Sequence, residues 1–175
     1  MIFGFIGNMG SGKTLSMVKE AYSLYNKGFT IYSNISLTFP HKEYDASLLE
    51  GYATDKKSFY KAVFLLDEAH IFMDSRASLS RRNKVLTAFL TQTRKKDVIL
   101  LFTTQFLHQI DKRLRHVCDA IVECYGKNFK EEHYVLNRIN IFKIEGILTY
   151  NNIYKAKPYY RLYDSYEVVR PLFND

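Results

Sequence analysis

The feature that constrains this chain most is the run GNMGSGKT at residues 7–14, which fills the pattern G-x-x-x-x-G-K-[ST] completely and lies between an apolar run and a helical pattern. Gly7, Gly10 and Gly12 let the backbone curl tightly enough for consecutive N–H groups to point at phosphate oxygens, and the N-terminus of the following helix adds partial positive charge. The expected cradle is formed by Gly7, Asn8, Met9, Gly10, Ser11, Gly12, Lys13, Thr14 and Leu15. In it Lys13 reaches the β and γ phosphates of a nucleotide, ATP being the expected one, and the Thr14 hydroxyl ligates Mg²⁺. A chance glycine-rich turn is the competing reading, and the placement between strand and helix argues against it.

A loop of this kind needs a strand before it and a helix after it. Residues 2–6 read as a buried strand and 12–27 as a helix with the apolar stripe Leu15, Val18, Tyr22 and Tyr25, closed by Gly28. Residues 29–33 are a second strand. The polar stretch 34–57, with Pro40 and Gly51, reads as a surface excursion. Residues 62–66 are five apolar residues ending at Asp67-Glu68, a central strand that delivers carboxylates to its C-terminal edge. A helix over 80–94 burying Leu86, Phe89, Leu90 and Thr93, a strand over 98–103, a short helix over 109–117 and a strand over 120–124 complete an alternating pattern. That alternation predicts a mainly parallel sheet covered by helices. Beyond Gly126 two β-rich stretches, 134–144 and 147–155, predict a hairpin added to the core. We therefore expect a single domain over 1–175, with a nucleotide-binding core over 1–125 and a β-rich extension over 126–175.

Composition supports this reading. At 175 residues, 47% hydrophobic with eight glycines and three prolines, the chain is long enough for one sizeable core and excludes a disordered or collagen-like protein. Two cysteines, Cys118 and Cys124, lie in apolar surroundings and cannot build a disulfide framework, which points to a reducing compartment. No apolar run approaches the roughly 20 residues of a membrane-spanning helix, and the start has no basic leader. The expectation is a protein without an integral membrane segment. A balance of 25 Lys and Arg against 18 Asp and Glu, a net +7, suits an anionic partner.

Asp67 fits a carboxylate that holds Mg²⁺ through its water shell, and Glu68 fits a base that polarises water for in-line attack on a γ-phosphate. A cap on the following turn is the alternative for Glu68. Asp67-Glu68-Ala69-His70 spells a helicase DEAH box, but 175 residues leave no room for a second motor domain, and His70 has no partner at metal-ligand spacing. Gln105 closes the strand next to that of Asp67 and reads either as a phosphate sensor or as an ordinary strand-end residue.

The strand ending in Asp67-Glu68, the stretch TQTRKKDVILLFTTQ and the following HQIDKRLRHVCDAIVE together resemble the HerA/FtsK superfamily of ring-forming DNA-pumping ATPases. Within it the chain is most similar to zonula occludens toxin-like ATPases and to genome-packaging ATPases of prokaryotic viruses, over residues 1–124, with a weaker echo in PYYRLYDSYEVV. The resemblance implies an α/β fold of the P-loop NTPase class, additional-strand and RecA/FtsK-like, a three-layer sandwich. It also implies an Mg²⁺-dependent ATPase that moves DNA into a capsid, working as a homo-oligomeric ring, pentameric or hexameric. Arg94 is then the arginine inserted into the neighbouring subunit's nucleotide site, with Arg113 and Arg115 as second choices; a solvated residue at a helix end is the plainer reading of Arg94.

Arg76, Arg81, Arg82, Lys84, Lys95, Lys96, Lys127 and Lys130 are the candidate contacts to a DNA backbone, double-stranded and read without sequence preference. Tyr150, Tyr154, Tyr159, Tyr160, Tyr163 and Tyr166 either stack on bases or pack the hairpin. Filamentous-phage members of the toxin-like group carry a membrane segment after the ATPase domain. Its lack here favours a packaging motor in the host cytoplasm or on the virion, engaging capsid vertex proteins, over a phage assembly and export ATPase. Two rivals stand beside this reading: a small-molecule (nucleotide) kinase, with Arg81 and Arg82 in a lid, and a nucleotide-gated DNA-binding protein with negligible turnover.

Overall fold

The computed structural model describes residues 1–53, 59–72, 85, 88–90, 93, 98–110, 112–129, 132–143, 146–167, 169 and 172. Eight strands form one sheet: β1 (Ile2–Ile6), β2 (Thr30–Ser33), β3 (Lys42–Glu43), β4 (Ala62–Leu66), β5 (Val98–Thr104), β6 (Ala120–Phe129), β7 (Glu132–Lys143) and β8 (Gly146–Lys155), in the order β3-β2-β4-β5-β1-β6-β7-β8. The first five neighbour pairs in that order, from β3·β2 to β1·β6, are parallel, and β6·β7 and β7·β8 are antiparallel. Strand β5 is inserted between β1, which carries the glycine-rich loop, and β4, which ends at Asp67.

All five residues of β4 are buried, as a strand covered on both faces requires. Its side chains alternate between two cores. Phe64 and Leu66 join Leu100, Phe102, Ile121, Phe89, Leu90, Ile110 and Leu114 on one face. Val63 and Leu65 join Leu101, Val122 and helix α1 (Lys13–Asn26) on the other. These are the three layers expected. The buried line of α1 is Leu15, Val18, Ala21 and Leu24, while Tyr22 and Tyr25 lie at its margin with ring centroids 5.2 and 5.5 Å from that of Phe39.

Three segments differ from expectation. The stretch 34–57 holds the two-residue β3 and a helix, α2 (Ala46–Ala53), whose start is capped by Asp45: its Oδ1 accepts from Leu48 N at 2.9 Å. Leu49 of α2 packs into the core at 1% exposure, an apolar anchor that outweighs Gly51. The 109–117 helix is shorter, a 3-10 turn at Leu107–Gln109 followed by α3 (Lys112–Val117).

Strand β6 does not stop at Cys124. It runs through Gly126 to Phe129, paired along its full length with β7 from Ala120↔Ile141 to Phe129↔Glu132. A glycine inside a strand marks close approach of another backbone, and a Cβ at Gly126 would lie 3.1 Å from the carbonyl oxygen of Gly10. The hairpin β7–β8 is thus a continuation of the parallel sheet by way of β6. Among the described residues, no helix is long and apolar enough to cross a membrane.

Candidate functional site

The turn after β1 is shaped by glycines that no other residue replaces. Gly7 has φ +146°, and a Cβ there would lie 2.6 Å from both Cys124 O and Ser11 Oγ. Gly12, at φ +90°, opens α1 and lies under Val135 of β7, whose Cγ2 would be 2.7 Å from a Cβ. The carbonyl of Asn8 accepts from Ser11 N at 3.1 Å and from Lys13 Nζ at 3.1 Å, so the buried lysine arcs back over the turn. Leu15 anchors the start of α1 in the core, and Met9 stands exposed at the tip of the loop.

The ends of three strands converge on Asp67. Its Oδ1 accepts from Thr14 Oγ1 at 2.9 Å and from Thr103 Oγ1 at 2.7 Å, joining the glycine-rich turn, β4 and β5 in one cluster. Its backbone is held by Asn34, just past β2: Asn34 Oδ1 accepts from Asp67 N at 2.9 Å and Asn34 Nδ2 donates to Asp67 O at 3.1 Å. Burial pushes the Asp67 carboxyl above the usual range; the hydroxyls of Thr103 and Thr14 oppose this, Glu68 adds to it and the Lys13 ammonium opposes it. Asn34 and Thr103 are site residues that sequence reading passed over. Their one signal was position, since both lie at C-terminal ends of parallel strands, where ligands of such sheets bind.

Glu68 adopts a left-handed conformation, φ 52° and ψ 51°, rare for a residue with a Cβ. Its N–H donates to Thr103 Oγ1 at 2.9 Å, so one hydroxyl ties both carboxylate residues to β5. Its Oε2 lies 3.2 Å from His70 Nδ1, an ion pair whenever the imidazole carries a proton on both nitrogens. His70 thus sits beside Glu68, and among the described residues no three His, Cys, Asp or Glu side chains form a metal cluster. The donors at hand, Thr14 Oγ1 and the Asp67 carboxylate, are hard oxygens that suit a divalent cation completed by phosphate and water.

Gln105 follows β5 directly, and the pairing Leu66↔Phe102 brings it to the same sheet edge as Asp67. Arg115 is exposed on α3; Arg113 belongs to the same helix, with its side chain outside the described part. Arg94, Arg76, Arg81, Arg82, Lys84, Lys95, Lys96 and Lys130 lie outside the described residues. Lys127 is exposed and lines a cleft of about 350 Å³ between the Gly7–Ser11 turn and Cys124–Gly126 of β6. Of the tyrosines, Tyr154 is buried with its hydroxyl 2.7 Å from Ser16 Oγ, and Tyr159 packs edge-on against it at 5.5 Å. Tyr163 is partly buried, while Tyr150, Tyr160 and Tyr166 remain exposed.

A glycine-rich turn between a strand and a helix, in a mostly parallel sheet with flanking helices, defines an α/β protein of the P-loop NTPase-like fold. The chain belongs to the Zonular occludens toxin (Zot) family, whose description matches residues 1–168, which carries the likeness through the whole β6–β8 extension. Among solved structures it is similar to the N-terminal domain of zonular occludens toxin from Neisseria meningitidis, at 20% identity over 93% of this chain and 98% of that one, TM-score 0.65. It is similar also to the genome packaging NTPase B204 from Sulfolobus turreted icosahedral virus 2 in complex with ATP-gammaS, at 13% identity over 86% and 96% of the two chains, TM-score 0.58. A third, the flagellar accessory protein FlaH from Methanocaldococcus jannaschii, shares 13% identity over 85% and 88%, TM-score 0.55. No curated protein matches the sequence.

Proposed function

We propose that this protein is an Mg²⁺-dependent ATPase that moves DNA, assembled as a homo-oligomeric ring, and that its task is to package a viral genome into a capsid. The observation that carries the proposal is the bond from Thr14 to Asp67, which brings the residue after the loop lysine and the strand-end carboxylate into one oxygen cluster. Support for the nucleotide comes from the B204 structure with ATP-gammaS, and support for the task from its being a genome packaging NTPase.

In this reading the backbone of Gly7 to Thr14 and the Lys13 ammonium bind the β and γ phosphates. Thr14 and Asp67 would hold Mg²⁺, whose charge would neutralise the phosphate oxygens. Glu68 takes a proton from the attacking water, and Gln105 contacts the γ-phosphate. Arg94, or else Arg113 or Arg115, enters from the neighbouring subunit and stabilises charge on the leaving oxygen, which makes turnover depend on assembly. Lys127 and the basic residues of 76–96 grip the DNA backbone without reading sequence. The site of action is the host cytoplasm or the virion, against capsid vertex proteins.

The test is ATP hydrolysis against protein concentration, with double-stranded, single-stranded or no DNA, for the wild type and Arg94→Ala. Turnover per subunit that rises with concentration and double-stranded DNA, and a variant that binds nucleotide but fails to turn over, support the motor. A second reading, a Zot-like phage assembly and export ATPase, has the family match in its support, and stimulation by single-stranded DNA alone selects it. Flat turnover independent of DNA, with phosphate passed to an added nucleotide acceptor, replaces the motor by a kinase. DNA binding without hydrolysis in the oligomer replaces it by a nucleotide-gated binding protein.

A further inference from the structure

The two edges of the sheet are unlike each other. At one end β3 is two residues long, Lys42 and Glu43, both charged and exposed, a short edge that discourages pairing. At the other end β8 is ten residues long and pairs only with β7 among the described residues. It contains no proline, and Lys155 at its last position is its one charged residue. Its side chains are exposed at every position but Tyr154, including Ile147 at 64%, Ile153 at 61%, Leu148 at 48% and Tyr150 at 47%. An edge of this length, with apolar residues and an unpaired ladder, is a template for another strand.

The pattern within β8 says which strand. Two copies related by a two-fold axis perpendicular to the sheet meet antiparallel with their faces continuous, so residues opposite each other lie on the same face. With the axis at Tyr150, Ile147 lies opposite Ile153 of the other copy, and the pair occurs twice. Thr149 then faces Asn151, and Tyr150 faces its own counterpart. Moving the axis by one residue, to Thr149 or Asn151, sets Ile147 against Asn151 or Lys155 instead. We infer that β8 is a self-complementary interface on which two copies of this chain join antiparallel about Tyr150 into one continuous sheet. This interface is isologous and stands independently of the ATPase reading.

The experiment is disulfide trapping of the full chain under mild oxidation, since the native thiols Cys118 and Cys124 are both buried. Opposed β positions lie about 4.5–5.5 Å apart, within reach of a disulfide. Tyr150→Cys is expected to cross-link to itself, Thr149→Cys only when mixed with Asn151→Cys, and Tyr166→Cys, equally a surface tyrosine, not at all. Ile153→Lys is expected to raise the dimer dissociation constant about tenfold or more in sedimentation, because the lost pair occurs twice, while its melting temperature at concentrations where both proteins are monomeric stays that of the wild type. A chain that is monomeric at all concentrations, or cross-linking at Tyr166 equal to that at Tyr150, overturns the inference. So does trapping at Tyr150 that Ile153→Lys leaves unchanged.

Discussion

Asn34 holds Asp67 by both backbone ends, accepting from its N–H at 2.9 Å and donating to its carbonyl at 3.1 Å, although the residues are thirty-three positions apart. The pair is buried, with Asn34 at 1% exposure, so no water replaces a lost partner. Asn34→Ala leaves two backbone groups unsatisfied and is expected to cost about 2–3 kcal/mol in denaturant unfolding. On the proposed function it should weaken turnover more than nucleotide binding, because the carboxylate loses its aim while the glycine-rich loop keeps its shape. A stability equal to that of the wild type would remove Asn34 from the site.

Thr103 offers a near-isosteric test of the same cluster. Its hydroxyl donates to Asp67 and accepts from the Glu68 N–H, and the residue is fully buried. Thr103→Val keeps the shape and removes both bonds, with an expected loss of about 1–3 kcal/mol and at least a tenfold drop in kcat. Isothermal titration with nucleotide should show little change in affinity.

Asp67 makes stability depend on pH in a definite direction. Its folded-state value lies above the unfolded one of about 3.9, so folding favours the protonated form. The stabilisation is fully present below the unfolded value and is lost as pH rises through the raised one. Asp67→Asn keeps an oxygen acceptor for both hydroxyls and removes the buried charge. At neutral pH it should therefore melt higher than the wild type, while hydrolysis is abolished. The gap between variant and wild type should close below about pH 4; a gap independent of pH would contradict the burial account.

Glu68 persists in a left-handed conformation that costs of order 1 kcal/mol, a strain typical of functional positions. Glu68→Gln keeps that backbone and removes the carboxylate proposed as the base. Turnover should fall at least about a hundredfold with nucleotide affinity preserved. Equal turnover in the variant would exclude Glu68 as the base.

Gly12→Ala tests the close contact between the loop and β7. The added Cβ meets Val135 Cγ2 at 2.7 Å and sits at φ +90°, so nucleotide binding should be lost along with about 2 kcal/mol or more of stability. Gly12→Ala with Val135→Ala should recover only part, since the second change removes the clash and leaves the backbone strain.

The local elements were legible in the residues because each is short-range: a glycine pattern, a five-residue apolar run ending in Asp67-Glu68, an amphipathic period over α1. The helix α2 was hidden because Gly51 and the polar flanks masked its core contacts, Leu49 buried and Leu48 partly so. The continuation of β6 through Gly126 was hidden because a glycine reads as a break until one sees the Gly10 carbonyl it must clear.

Composition and motif alone determined the glycine-rich turn between β1 and α1, the parallel core and the carboxylate pair at the end of β4, since hydrophobic periodicity and backbone sterics act over a few residues. The clamp of Asn34 on Asp67, the double role of Thr103 and the cover of Val135 over Gly12 were decided only by the tertiary structure. Each joins residues more than thirty positions apart in sequence, and strand order brings them together: β2 and β5 flank β4 and so place Asn34 and Thr103 on either side of Asp67, and β7 follows β6 next to β1 and so lays Val135 over the loop.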